Sequence, residues 1–227
     1  VSIAAIETRG IGASAYACKT ASYFDRARGD FVGRLPVDRN ARILEIGCGT
    51  GATGALALRT GRCSFYAGIE LFAVAAEEAR GVLSEVLVGD AETMELPWAP
   101  ASFDALILSE VLEHLVDPGR LLERVALLVR PGGMVLASSP NISHWRVVRE
   151  LIAGRFDLAD KGVFDRTHLR WFTPATFAGM FDRAGFTPVE VGPVTPFAAR
   201  TRAISALTRG RFDHLFMVQI ALEGRRR

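Results

Sequence analysis

Cysteine is scarce in this 227-residue chain, and Cys18, Cys48 and Cys63 show neither metal-ligand spacing nor an even-numbered disulfide pattern. The sequence therefore predicts reduced thiols, no bound metal and a cytoplasmic setting. Long apolar runs are missing too: none approaches the ~18–20 residues of a membrane-spanning helix, and no signal-peptide pattern stands at the start. Neither sign of charge dominates. With 27 Lys and Arg against 25 Asp and Glu, the net charge of +2 argues against a dedicated nucleic-acid binder. Internal repeats and low-complexity linkers are absent, which favours one domain. A chain of this length buries roughly 70% of its unfolded surface and needs no covalent staple.

Apolar runs alternate with helical patterns from residue 41 to about 138. Strands are expected near 42–46, 65–70, 85–88, 103–109 and 134–138. Ala105-Leu106-Ile107-Leu108 is apolar throughout, as a central parallel strand covered on both faces must be. Asp117-Pro118 reads as an N-cap with proline in the first turn, and Leu121, Leu122, Val125, Leu128 and Val129 then fall on one helical stripe. Pro131-Gly132-Gly133 is expected to stop that helix. Alternation of this kind means βαβ units and a parallel sheet. Beyond 140 the pattern predicts a short helix ending at Gly154 and an aromatic, charged stretch over 155–172. A helix capped by Thr173-Pro174 follows, with strands over 186–191 and 214–222 and a basic amphipathic helix near 195–211 between them.

Arg42-Ile43-Leu44-Glu45-Ile46-Gly47-Cys48-Gly49-Thr50-Gly51 runs a buried strand into three alternating glycines, with a helical Ala/Leu run behind them. Glycine lets backbone approach a ligand closely, and the helix N-terminus presents unpaired N–H groups to it. With Ala52 the loop also satisfies the looser dinucleotide fingerprint, and Glu70 stands about 20 residues on, so NAD is a rival ligand. Glu45 can orient the glycine amides or face a cation, whereas a pyrophosphate would be repelled. Glu70 closes its strand where an acid can grip ribose hydroxyls or cap the next helix. Asp90, in Gly89-Asp90-Ala91-Glu92, can accept from the adenine amino group or make an ordinary turn. Ser109 and Glu110 arrive at the same crevice from the central strand.

These residues together resemble the class I S-adenosylmethionine-dependent methyltransferases. The loop from Glu45 through Gly47, Cys48, Gly49, Thr50 and Gly51 resembles the family's first motif, Glu70 with Leu71 its ribose site, and Asp90, Ala91 and Glu92 its adenine site. Ser109-Glu110-Val111-Leu112-Glu113-His114 is similar to the fourth motif of the subgroup containing ubiquinone-pathway O-methyltransferases. The resemblance implies a Rossmann-like three-layer α/β/α sandwich with a seven-stranded, mostly parallel sheet and an antiparallel last strand. It implies S-adenosylmethionine as cofactor and S-adenosylhomocysteine as product. It further implies a helical lid over 1–40, whose Tyr23 and Arg28 reach the methionine end, and a methyltransferase domain over 41–227. Within that domain 41–138 holds the cofactor, about 140–173 is an acceptor-side insertion and about 195–211 a basic connector. A dehydrogenase would need a second mononucleotide-binding half, which 140–227 does not supply. No Asn-Pro-Pro-Tyr-type motif follows the fourth strand, which speaks against nucleic-acid methylation.

Gly162-Val163-Phe164-Asp165-Arg166-Thr167-His168-Leu169-Arg170-Trp171-Phe172-Thr173 resembles a block in bacterial methyltransferases of surface-polysaccharide or glycosylated natural-product pathways. That implies a small-molecule acceptor, sugar-containing or quinone-like, sugar- or lipid-linked. Arg155, Arg166 and Arg170 can engage a phosphate or carboxylate, or pair with Asp157, Asp160 and Asp165. Trp145 and Trp171 can stack on a sugar ring; Trp171 with Phe172 can equally pin the following helix to the sheet. His168 and His144 are candidate general bases, while His114 is expected to pack beside the cofactor. The 195–211 segment is expected to touch an anionic membrane surface, or to serve as connector or dimer contact, in a monomer or homodimer. Two other readings stay open here: a non-catalytic S-adenosylmethionine-binding regulatory module and an NAD-dependent oxidoreductase.

Overall fold

The computed structural model describes residues 27–227. Its strands are β1 (Arg42–Ile46), β2 (Phe65–Glu70), β3 (Glu85–Val88), β4 (Phe103–Ser109), β5 (Val129–Pro140), β6 (Phe186–Pro193) and β7 (Gln219–Arg226). They form one sheet in the order β3-β2-β1-β4-β5-β7-β6, in which β7 alone is antiparallel to its neighbours. The described helices are α1 (Gly29–Arg34), α2 (Ala52–Arg59), α3 (Ala73–Arg80), α4 (Pro118–Ala126), α5 (Trp145–Ile152), α6 (Pro174–Arg183) and α7 (Ala199–Thr208).

Successive residues of a strand point to opposite faces, so a strand covered on both sides is apolar throughout. Leu44, Ile46, Leu106 and Leu108 bury one face of the sheet against Leu121, Leu122 and Val125 of α4 and Phe177 and Phe181 of α6. Ile43, Tyr66, Ala105 and Ile107 bury the other against Phe31 and Val32 of α1, Ala57 of α2, and Ala76 and Ala79 of α3. This is the three-layer sandwich expected. The chain reverses its direction of winding between β1 and β4, and the crevice above such a switch point is where α/β sheets take ligands.

Helix ends follow their local chemistry. The Asp117 side chain accepts from Arg120 N, with Pro118 in the first turn of α4. Thr173 and Thr176 form a reciprocal capping box at α6, whose Phe177 and Phe181 continue a chain of ring contacts from Phe172 to Phe186.

Some element boundaries differ from the sequence pattern. α4 ends at Ala126, so Leu128 and Val129 leave the helical stripe, and Val129 already pairs with Phe103. Because Ala105 pairs with Met134, residues 130–133 bulge out of the ladder; Pro131-Gly132-Gly133 shapes that bulge instead of stopping the helix. The last strand begins at Gln219, not His214. A 3₁₀ turn over Asp213–Leu215 stands there instead, and the carbonyls of His214 and Met217 accept the Asn141 amide, which anchors the stretch.

Gly54 of α2 illustrates how tightly the glycine loop is backed. A Cβ there would stand 2.6 Å from Tyr66 Cδ1 and closer still to Leu83. Alanine gains about 1 kcal/mol of helix propensity, but overpacking costs typically 1–3 kcal/mol. Gly54→Ala is therefore expected to lower the melting temperature by a few degrees, measurable by calorimetry; an unchanged or raised value would contradict the packing described.

Candidate active site

A cavity of about 760 Å³ opens above the carboxyl ends of the parallel strands, within the size range of small-molecule sites. One wall is the glycine loop. Gly47 N and Cys48 N both donate to Ile69 O (2.8 and 3.2 Å), and Gly49 N donates to Glu70 Oε2 (2.8 Å), so the loop is laced to the end of β2. Gly47 sits at φ +72°, and a Cβ there would collide with Val111, so a side chain is excluded on both counts. Ala52 and Thr53, at the N-terminus of α2, complete this wall.

The Glu70 Oε1 atom accepts from Phe72 N at 3.0 Å. Burial pushes its carboxyl up, while the bonds from Phe72 and Gly49 hold it down. A carboxylate offers about four acceptor positions, so capacity remains for a ligand. Leu71, Asp90, Ala91 and Glu92 follow along the same wall. Asp90 Oδ1 accepts from Glu92 N at 2.9 Å, and the Glu92 carboxylate accepts from Val116 N and Asp117 N. The turn after β3 is thereby tied to the start of α4.

Glu45 does not orient the glycine amides, because Glu70 does. It accepts instead from the Tyr66 hydroxyl at 2.8 Å, and burial raises its carboxyl to about 7. Arg28 lies on the cavity wall. Its guanidinium donates to Ser109 Oγ (2.5 Å) and Ser138 Oγ (2.7 Å) and pairs with Asp30, joining the entry to α1 to the tips of β4 and β5.

The far end is built by the residues after β4. Glu110 stands at φ +55°, a strained conformation for a non-glycine residue, and its Oε2 accepts from Gln219 Nε2 at 3.0 Å. Glu113 is buried and accepts from Ser139 Oγ at 3.2 Å; the other oxygen of each acid has no hydrogen-bond partner among the described residues. Burial raises both carboxyls, Glu113 well above the usual carboxylate range, with the Glu110 charge adding to it. His114 Nδ1 lies 3.1 Å from Thr167 O and His168 Nδ1 3.1 Å from Val163 O. A carbonyl only accepts, so each Nδ1 carries the proton and each Nε2 is the basic nitrogen. The rings meet edge-on at 4.8 Å. Glu113, His114 and His168 each offer a ligand atom within 4.8 Å of the others, a grouping able to take a divalent cation. Linear spacing alone had suggested no metal ligands.

Several expected residues stand away from the cavity wall. His144 is the N-cap residue of α5, its ring 5.9 Å from that of Trp145; burial, then the Arg146 charge, pull its imidazole below the usual value. Trp145 is half exposed between Arg146 and Arg149. Trp171 donates to Val163 O and packs on Phe156, so it fastens the stretch around Val163. Arg166 pairs with Asp160, Arg155 with Glu150, and Arg170 donates to Val116 O and Leu169 O. Thr50 and Gly51 close the loop without lining the cavity, Gly51 as the left-handed N-cap of α2. Tyr23 lies outside the described residues. The α7 helix buries no residue and does not line the cavity; the chain before and after it supplies Val194, Thr195, Val218 and Gln219 to the lining. The sequence reading had missed Tyr66, Thr53, Phe72, Lys161, Val163, Asp165, Thr195 and Gln219.

The side-chain-free cradle at Gly47, the buried acid tied to its amides and the acids along the wall suit a cationic nucleoside better than a pyrophosphate. Comparisons agree. A model of the methyltransferase domain matches residues 20–191. The ubiquinone biosynthesis O-methyltransferase of Neisseria meningitidis serogroup C is 30% identical over 165 residues, covering 69% of this chain and 68% of that protein. The 27-O-demethylrifamycin SV methyltransferase of Amycolatopsis mediterranei is 34% identical over 107 residues, covering 44% of this chain and 39% of its own. Among solved structures, S-adenosylmethionine-dependent methyltransferases of Mesorhizobium loti (TM-score 0.61, 20% identity, 92% of this chain and 99% of that one) and Archaeoglobus fulgidus (0.63, 19%, 90% and 97%) share the fold. Glycine loop, acid-lined crevice and family match converge, and the chain belongs to the methyltransferase domain family as a class I, S-adenosylmethionine-dependent enzyme.

Proposed function

We propose that the enzyme methylates a hydroxyl of a small-molecule acceptor, sugar-containing or quinone-like, with His168 as general base. The observation that carries this is the His168 ring on the cavity wall, its Nδ1 fixed by Val163 O so that Nε2 is the proton-accepting atom. Bound in the cavity, S-adenosylmethionine supplies an electrophilic sulfonium methyl group. The glycine loop, Glu70 and Asp90 hold the donor, and Arg28 stiffens the ends of β4 and β5 beneath it. Val163, Val194 and Val218 with Thr195, Gln219 and Lys161 give the opposite rim a mixed apolar and polar character, which suits a ring bearing hydroxyls.

Alignment of reactants can lower the barrier by about 7–11 kcal/mol, whereas a general base adds typically 10²–10⁴-fold, or roughly 3–5 kcal/mol. Positioning is the larger effect. The base matters because a hydroxyl must lose its proton as the carbon–oxygen bond forms. Two of the relatives carry O-methylation in their names, one in ubiquinone biosynthesis and one at position 27-O of a rifamycin, which supports oxygen as the attacking atom. The test is a methyl-transfer assay with labelled donor across catechols, hexosides and simple amines. Methyl ethers from the hydroxylated compounds are expected; transfer confined to amines would overturn the assignment.

A further inference from the structure

Donor and product differ by one formal charge, and the cavity is built to notice it. S-adenosylmethionine carries a sulfonium and an ammonium against one carboxylate, while S-adenosylhomocysteine has lost the sulfonium charge. Eight carboxylates line the cavity against two permanent cations, Arg28 and Lys161, and Arg28 is already paired with Asp30. A cation entering such a low-dielectric space stabilises ionised acids around it.

Among those acids Glu45 is set apart by its position. It is 2% exposed, lies in β1 directly before the glycine loop, and reaches the cavity wall. Its hydrogen-bond partner is the hydroxyl of Tyr66, a fully buried residue of the neighbouring strand. The charged or titratable groups acting on it are Tyr66 and Glu70 from β2, Cys48 from the loop and Arg28 from the chain before α1. Glu70 opposes its ionisation and Arg28 favours it. No guanidinium or ammonium bonds to its carboxylate among the described residues, so a bound cation would be a counter-charge the protein itself withholds.

We propose that Glu45, positioned by Tyr66, discriminates donor from product by charge: it releases a proton to solvent when the cationic donor binds and keeps it when the neutral product binds. The inference rests on donor occupancy of this cavity. Burial places the carboxyl near 7 in the free protein, so both protonation states are present at neutral pH. A bound cation lowers that value, so donor affinity should rise with pH and level off above it. A one-unit drop gives about fivefold tighter donor binding at pH 8 than at pH 6, with product affinity flat through Glu45. After transfer the sulfonium charge is gone, Glu45 takes a proton back, and retention of the product loses its electrostatic component.

The experiment is calorimetric titration of the full chain with each ligand, in buffers of different ionisation enthalpy, at pH 6, 7 and 8. Wild type should release more protons than Glu45→Gln on binding donor, and the same number on binding product. Taking the difference between wild type and variant cancels the ionisation of each ligand's own amino group. Tyr66→Phe removes a bond that favours the charged carboxylate, so the midpoint of the donor pH dependence should move upward; this variant serves if Glu45→Gln fails to fold. Equal wild-type-minus-variant release for donor and product, or a midpoint unmoved in Tyr66→Phe, would overturn the proposal. Failure of wild type to bind either ligand would instead remove the donor site itself.

Discussion

Glu70→Ala is expected to weaken S-adenosylmethionine binding about 100-fold while leaving the chain folded. One carboxylate oxygen holds Gly49 N and the other holds Phe72 N, so the truncation loosens the glycine loop and the lead into α3 together. A hydrogen bond to a charged group contributes about 1.5–3 kcal/mol, and losing one such bond plus any bond to the ligand corresponds to roughly two orders of magnitude in affinity. The fold should survive because Glu70 closes a strand whose Ala67 and Ile69 remain in the core and whose pairing with β1 and β3 is untouched. Glu70→Gln should fall between wild type and alanine, since its amide nitrogen can no longer accept from one of the two backbone donors. Calorimetric titration with a parallel thermal melt reads both quantities. An alanine variant that binds donor as tightly as wild type would remove Glu70 from the site.

The positions in that prediction were reachable from sequence because each is marked by its neighbours, although the bond from Gly49 N to Glu70 was not. The apolar run of β1, the glycines after it and an acid closing the next strand are read off adjacent residues, and β1 to β4 fall where the pattern placed them. Partnerships between distant segments were not legible. Tyr66 looks like one more core aromatic until β1 and β2 pair and bring its hydroxyl to Glu45. Arg28 could be named as a cavity residue, yet Ser138 as its partner follows only from β5 lying beside β4. The arginines and tryptophans between residues 145 and 171 stand off the cavity wall for a different reason. Arg166 and Trp171 are of types that bind anions and rings but also satisfy carboxylates and carbonyls nearby, and here the nearby partners prevail. In β7, Gly224 and Arg225 carry no strand signal of their own; they are strand because Val135 and Met134 pair with them.

His168→Ala should lower kcat by 10²- to 10⁴-fold with the affinity for S-adenosylmethionine nearly unchanged, because the ring stands beside His114 and Glu113 on the cavity wall and is bonded to Val163 O, not to the glycine loop. Alanine alone would not prove a base. The Nδ1–H also holds Val163 O, and Trp171 Nε1 shares that same carbonyl, so truncation disturbs the segment that carries Val163 on the cavity wall. Asparagine separates the two roles. Its side-chain amide can still donate toward Val163 O but offers no basic nitrogen, so a positioning role would be restored and proton transfer would not. If His168 takes the hydroxyl proton, His168→Asn stays as slow as alanine, and the acidic limb of the wild-type kcat/KM profile disappears in both. If asparagine restores turnover and the profile keeps that limb, His168 only shapes the wall. Proton removal then falls to another group at the same end, and the raised carboxyls of Glu110 and Glu113 become the ones to substitute next.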